Sequence, residues 1–416
     1  MSHPAKSRKA IILFFLLIAI VAFANGLGDA VMGNYFKEVY SADSVLRGFI
    51  EFPRELPGML CAVVVSLLSP LGDRRAAFLA QLLACGGLVV LGVWTPSFGV
   101  MLVFLFIYSM GMHLYMPYND AIGLSLAEQD NVGRRIGQYT SVKSAFMFAA
   151  SLLVFFGFRF GFFSFETKRK TVFLVAAAGF AAAAVIAFLL AREGGVQPRK
   201  QKVRLVFRKQ YRYYYLLTIL NGVQKQIALV YGSWVVIDLL RKGADTMALL
   251  FIASSFVCIF FMHLIGRMID RFGIKKMMFL DAATFIGVYV LYGFLVWGIT
   301  SSVLPGTGWP VFAVYLLFVL DRMSMQIGVV KSVYLRSISL SDEDVTATLS
   351  TGVSLDHLVS IIAAMAGGFI WAQWGSQWVF FMAAAFSLGN VYIAWRVQPE
   401  RERETALAYR AAQEKM

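Results

Sequence analysis

Unbroken apolar runs of about twenty residues, separated by short polar stretches, recur along the chain from Ile11 to Trp395. A bilayer core about 30 Å thick takes roughly 20 helical residues to cross, so each run is long enough to span. Lipid offers no partner to an open backbone group, which restricts spanning structures to helices and closed barrels. A barrel needs apolar and polar residues to alternate, and these runs are continuous. The pattern therefore predicts an all-α membrane protein of twelve transmembrane helices, at 10–34, 47–70, 77–95, 98–120, 138–160, 172–191, 212–236, 247–268, 276–298, 310–333, 349–371 and 376–396. The first run also resembles a signal peptide, with Lys6, Arg8 and Lys9 ahead of an apolar stretch and Ala22-Phe23-Ala24 as a cleavage-like site. Against that, the run continues past those residues and has a partner later in the chain.

Composition agrees with the pattern. Hydrophobic residues make up 59% and charged residues 15% of the chain, where a soluble domain carries about 25% charged. The net charge of +14, from 38 basic and 24 acidic residues, does not point to nucleic acid, because the basic residues concentrate in alternate loops. By the positive-inside bias both termini are expected in the cytoplasm of a multi-pass protein, in a bacterial cytoplasmic membrane. The basic stretch 192–212 is expected to lie against anionic lipid headgroups. Cys61, Cys85 and Cys258 all fall in spans and read as small buried residues. No residue spacing suggests a metal site, a cofactor or the nucleophile of an enzyme.

The basic stretch also divides the chain into two sets of six spans that echo each other. The organisation expected is a first bundle over 1–191, a basic cytoplasmic linker over 192–211, a second bundle over 212–396 and a cytoplasmic tail over 397–416. Asn25-Gly26 and Asp29 in span 1 stand 196 positions before Asn221-Gly222 and Lys225 in span 7. Asp73 stands 197 before Asp270, and Lys143 stands 213 before Asp356. A parallel repeat of this kind places a binding site between two halves related by an axis along the membrane normal.

Here the chain resembles the major facilitator superfamily, whose signature between spans 2 and 3 is G-x-x-x-D-R-x-G-R-K/R-K/R. Gly266, Asp270, Arg271, Gly273, Lys275 and Lys276 match it in the second half. The first half keeps only Gly72-Asp73-Arg74-Arg75, whereas the family usually keeps the better copy there. The resemblance implies two pseudo-symmetric six-helix bundles, a central cavity bordered by spans 1, 4, 7 and 10, and cytoplasmic gate loops at Asp73, Arg74, Gly266, Asp270 and Arg271.

Ionisable groups inside spans are costly, by roughly 2.5–3.5 kcal/mol on insertion scales, and point to function unless they form structural pairs. Asp29 and Lys225 match with opposite sign, which fits either a closing salt bridge or a site for solute and proton. Span 7 adds Asn221 and Gln224, and span 1 adds Asn25. Span 4 offers His113, Tyr118 and Asp120, and span 10 offers Asp321, Arg322, Gln326 and Lys331. The substrate-binding set expected is Asn25, Asp29, His113, Tyr118, Asn221, Gln224, Lys225, Arg322 and Gln326. Asp321 and Arg322, being adjacent, diverge by about 100° on a helix, so one is expected to serve the cavity and the other a neighbouring helix.

Glu51, Arg54 and Glu55 share one face of span 2 at i, i+3, i+4 spacing, between Pro53 and Pro57. Arg54 can neutralise one glutamate and leave the other for proton coupling or for sealing a gate. Lys143, Asp356 and His357 complete the expected coupling or gating set, with Lys143 and Asp356 pairing to other groups rather than to each other. The function expected is a monomeric secondary transporter of a small anionic or zwitterionic organic solute, proton-coupled and working by alternating access. Its partners are the solute, protons and membrane lipid. Alternatives are a proton-driven exporter of hydrophobic cations, which requires a net acidic cavity, and a membrane sensor that binds without flux.

Overall fold

The computed structural model describes residues 8–127, 132–193 and 207–413. Residues 194–206, which hold Arg199, Lys200, Lys202 and Arg204 of the expected lipid-facing basic cluster, lie outside them. Among the described residues all regular elements are helices, joined by short connections, with no strand. The helices are α1 (Arg8–Tyr40), α2 (Ser44–Leu67), α3 (Asp73–Val93), α4 (Phe98–Leu126), α5 (Val132–Arg159), α6 (Thr171–Arg192), α7 (Arg212–Gln226), α8 (Ala244–Thr300), α9 (Trp309–Ile327), α10 (Val330–Ile338), α11 (Asp342–Trp374), α12 (Ser376–Arg396) and α13 (Pro399–Gln413). Ten helical segments among them are long and apolar enough to cross a membrane. The chain is thus an integral, multi-pass membrane protein. The other two expected spans are also helical: α2, which carries Arg47, Glu51, Arg54 and Glu55, and the short α7 with its continuation.

Three departures from regular spans matter for function. Span 7 is not one α-helix, because beyond Gln226 the backbone widens into π turns at Ile227–Gly232 and Val235–Leu239. Such turns are rare and concentrate where a helix must re-aim its side chains. Span 10 breaks at Gly328 and Val329 into α9 and α10. Spans 8 and 9 run as one helix, α8, bent where Gly273 takes the left-handed φ of 78° that favours glycine.

Gly72, just before α3, has φ 75° and ψ 157°, against 78° and 165° at Gly273. The two hinge glycines stand 201 apart (273 − 72), so the backbones of the half-repeats correspond at that offset rather than at the 197 of Asp73 and Asp270. At 201, Arg74 pairs with Lys275. Arg74 Nη1 donates to Leu190 O at the end of α6 (3.1 Å), and Lys275 Nζ donates to Trp395 O (3.1 Å) and Val397 O (3.0 Å) at the end of α12. Each cation thus satisfies carbonyls that a helix C-terminus leaves open, and complements its dipole. Lys275→Ala is expected to cost about 1 kcal/mol, since a charged hydrogen bond is worth about 1.5–3 kcal/mol and this one is partly exposed. Unfolding in detergent measures it, with the exposed Lys276→Ala costing less than half as much.

By contacts the chain divides into two compact units. The first holds Met1–Ser41, Pro53–Lys202 and Gly243–Ile252, and the second holds Ala42–Phe52, Val203–Lys242 and Ala253–Met416. The start of α2 therefore belongs with the second unit, and the division falls at Pro53. In the first unit α3 is rich in small buried residues. A Cβ on Gly87 would meet Tyr108 N at 2.6 Å and Phe104 O at 2.7 Å, so α3 and α4 touch backbone to backbone. Lipid tails leave little hydrophobic drive between helices, and close packing of small residues takes its place. In the second unit a core of Tyr211, Tyr214, Tyr334, Ile338 and Ile393 ties α7 and α10 to α12. The Tyr211 hydroxyl, pushed up to about 12 chiefly by burial, donates to Asp344 Oδ2 (3.0 Å).

Candidate functional site

A cavity of about 340 Å³ opens inside the second unit, bounded by α7, the α9–α10 break and α11. Asn221 and Lys225 reach it from α7, Gly328 from the break, Lys331 from α10, Asp356 from α11 and Phe285 from α8. Lys225 Nζ donates to Asp356 Oδ2, and the two side chains stay 26% and 21% exposed. The residue at i+213 from Lys143 therefore takes the lysine of span 7 as its partner, while Lys143 itself is exposed on α5. Lys331 also lies within electrostatic reach of Asp356, Lys225 and Asp281. The sequence flagged Lys331 only among the polar residues of span 10, and passed over Asp281, which is 4% exposed.

Other residues expected to bind solute do different work. Gln224 is fully buried, donates from Nε2 to Ser387 Oγ (2.6 Å) and accepts from Asn390 Nδ2 (3.1 Å) and Asn221 Nδ2 (3.2 Å). It is a polar cross-link between α7 and α12 rather than a cavity group. Arg322 does not line the cavity. Its guanidinium lies over Phe318 (4.8 Å) and donates to Ser233 Oγ (3.4 Å) at the π turns of span 7. Gln326 Nε2 turns back to Arg322 O (3.4 Å). Asp321 is 1% exposed, and Oδ2 lies 3.4 Å from where a Cβ on Gly232 would stand. Asp321 and Arg322 thus reach adjacent residues of span 7, Gly232 and Ser233, and stay within electrostatic reach of each other, and neither lines the cavity that one of them was expected to serve.

At the start of α2, the partner of Glu51 is Arg47, one turn earlier. Arg47 Nη1 donates to Glu51 Oε1, and the residues are 3% and 1% exposed. Gln226 Nε2 donates to Glu51 Oε2 (3.0 Å), and the Arg47 guanidinium lies 5.9 Å from the Trp234 ring centre. Both carboxylate oxygens are engaged. Arg47 was the residue that reading the sequence missed, although it stands at i−4 from Glu51, as good a helical spacing as Arg54 at i+3. Glu55 is buried at 8% exposure. Arg54 is half-buried, and its carbonyl accepts from Ser109 Oγ (2.5 Å) between the two prolines.

In the first unit, Asn25 Oδ1 accepts from the Tyr108 hydroxyl (3.1 Å), and Asp29 is exposed although Gly28 and Ala30 are buried. His113 Nδ1 lies 2.9 Å from Ser109 O. A carbonyl can only accept, so this contact is a hydrogen bond in the tautomer that carries the proton on Nδ1. Tyr118 is 3% exposed and packs beside Gly72 and Asp73 around a cavity of about 20 Å³. His357 sits half-buried on α11, and Gly266, Asp270 and Arg271 of the gate loop are exposed. Among the described residues no cluster of histidine, cysteine and acidic residues could hold a metal.

No protein-family model matches this sequence, and no curated protein sequence matches it. Solved structures do match in fold. The nucleoside transporter NupG aligns over 94% of this chain and 100% of its own at 12% identity, with a TM-score of 0.71. A POT family transporter in complex with 5-aminolevulinic acid aligns over 94% and 97% at 12% identity, TM-score 0.75. A D-xylose-proton symporter aligns over 94% and 98% at 14% identity, TM-score 0.66. Helix order, span count and these full-length superpositions lead to one conclusion: the chain has the fold of the major facilitator superfamily.

Proposed function

We propose that the protein is a secondary transporter that moves a small anionic or zwitterionic organic solute by alternating access. The observation that carries this is the cavity of the second unit, where Lys225 and Asp356 remain partly exposed instead of sealed in the core. A cavity that places two lysines against one aspartate favours an anionic group, and disfavours the exporter of hydrophobic cations, which needs a net acidic chamber. That the fold neighbours are transporters of nucleosides, peptides and xylose supports transport without naming the solute.

Glu51, held at both oxygens, acts as a lock on the start of α2, with Arg47 and Gln226 as its keepers. We assign proton coupling to Glu55, a buried acid one turn further along the same helix. Both termini lie in the cytoplasm and the protein acts as a monomer. Asp29 and Lys143, exposed in the first unit, are the groups that solute or solvent meets there.

Uptake of a solute panel into proteoliposomes, with and without an imposed pH gradient, tests the reading. Lys225→Ala is expected to lower uptake at least about tenfold by removing a cation that binds in both the ground and the transition state. Glu55→Gln is expected to abolish pH-driven accumulation while leaving solute exchange intact. Normal transport by both variants would refute the assignment of these residues.

A further inference from the structure

Lys225 and Asp356 form an ion pair that is not dry. Their side chains remain 26% and 21% exposed, within a cavity of about 340 Å³. A pair in that position gains little from the low dielectric of a sealed core, because water competes for both partners. Lys331, from α10, lines the same cavity and feels the charges of Lys225, Asp356 and Asp281. Two ammonium groups therefore face one carboxylate across the opening, while Asp281 stands apart as a buried acid that is not among the lining residues. Gly328, at the break between α9 and α10, borders the cavity between Asn221 and Lys331. Phe285 and Leu349 supply apolar wall.

We infer that the cavity is an oxyanion site in which Asp356 holds the place of the solute's own acidic group. A carboxylate or phosphate of the solute takes over Lys225, Lys331 supplies the second cation, and Asp356 is released. This rests on the transport reading for its purpose but concerns binding alone. At about 30 Å³ per water the cavity holds roughly eleven water volumes, room for the acidic group of a small solute. Asn221, whose amide already donates to Gln224 Oε1, leaves its own Oδ1 turned toward Gly328 at the break, 3.5 Å from where a Cβ there would stand. That oxygen suits a hydroxyl or ammonium elsewhere on the solute, which keeps zwitterions within the class.

The test uses the full chain in lipid nanodiscs at fixed ionic strength, with acetate, succinate and inorganic phosphate as probes and glucose and choline as controls. Binding is read from tryptophan fluorescence and from the shift in melting temperature. At least one of the three anions is expected to bind and neither control. Asp356→Asn removes the internal competitor while keeping shape, and is expected to tighten that anion about fivefold or more. Lys331→Gln is expected to weaken it about tenfold, and Lys331→Arg to stay within about threefold of the parent. Which anion binds separates a carboxylate from a phosphate. Binding by none of them, or a loss with Asp356→Asn as large as that with Lys331→Gln, overturns the inference, because a purely structural pair behaves so. If Lys331→Gln unfolds the chain, the pair Asp356→Asn and Lys331→Arg still decides, since tightening in the first is required. Anion binding as described without flux in proteoliposomes refutes transport and leaves this site standing. Flux that none of these variants alters does the reverse.

Discussion

Arg47→Ala is expected to destabilise the protein by about 3–5 kcal/mol, the scale for stranding one member of a buried ion pair. The cause is what remains behind. Glu51 is 1% exposed, and without Arg47 the carboxylate loses the cation that donates to its Oε1. Desolvation then acts on a charge that has lost its counter-ion. The Trp234 ring, beside the guanidinium at 5.9 Å, also loses its cation. Removing both charges at once has a different result. Arg47→Met with Glu51→Leu replaces the pair by apolar volume, and such replacements are often neutral or stabilising. The double variant should recover most of the loss in detergent unfolding midpoint. If transport depends on the lock, it should also leave the start of α2 firmly closed or loosely held, in either case with uptake well below the parent. A double variant as unstable as Arg47→Ala would show that the loss came from packing and not from a stranded charge.

Gly368→Leu is expected to have the next largest effect. A Cβ at Gly368 would stand 2.3 Å from Ser44 O, and one at Gly48 would stand 2.4 Å from Ala364 O. Both obstacles are backbone, so no rotamer change relieves them. The start of α2 and the middle of α11 meet through Ser44-x-x-x-Gly48 on one helix and Ala364-x-x-x-Gly368 on the other, small residues one turn apart that let backbones approach. The Ser44 hydroxyl donates to Gly368 O (3.2 Å), and the Tyr231 hydroxyl donates to Ala364 O across the same contact. Overpacking a fitted contact costs about 1–3 kcal/mol, and a branched chain against backbone belongs at the upper end. The melting temperature should fall for Gly48→Leu and for Gly368→Leu alike. Combining them should cost less than the sum, since either one already separates the helices. Additive losses would mean that the two glycines serve separate contacts.

These two predictions mark where the sequence was readable and where it was not. The small-residue spacing at Ser44–Gly48 and Ala364–Gly368 is present in the chain, but its meaning depends on which helix faces which. The same limit applies to Glu51. Arg47 at i−4 and Arg54 at i+3 are equivalent on a helical wheel, and the choice between them follows from how α2 is rotated against α7 and α11. The hinge glycines show a subtler failure. Matching the letters of the two loops aligned Asp73 with Asp270, whereas the backbone aligns Gly72 with Gly273 and Arg74 with Lys275. Acid-base identity is a weaker guide there than the one conformation that only glycine adopts readily.

The sequence by itself determined the all-helical membrane fold and the sparse set of ionised groups within the spans. It could do so because lipid allows no unpaired backbone and makes each buried charge expensive, so both features are written locally in hydropathy. It also singled out Lys225 and Asp356. Only the tertiary structure joined them across 131 positions, recruited Lys331 through the break at Gly328, and turned Gln224 from a binding residue into a strut. Those outcomes depend on the rotation and kinking of whole helices. Rotation is set by packing summed over many side chains, and no short stretch of sequence carries that sum.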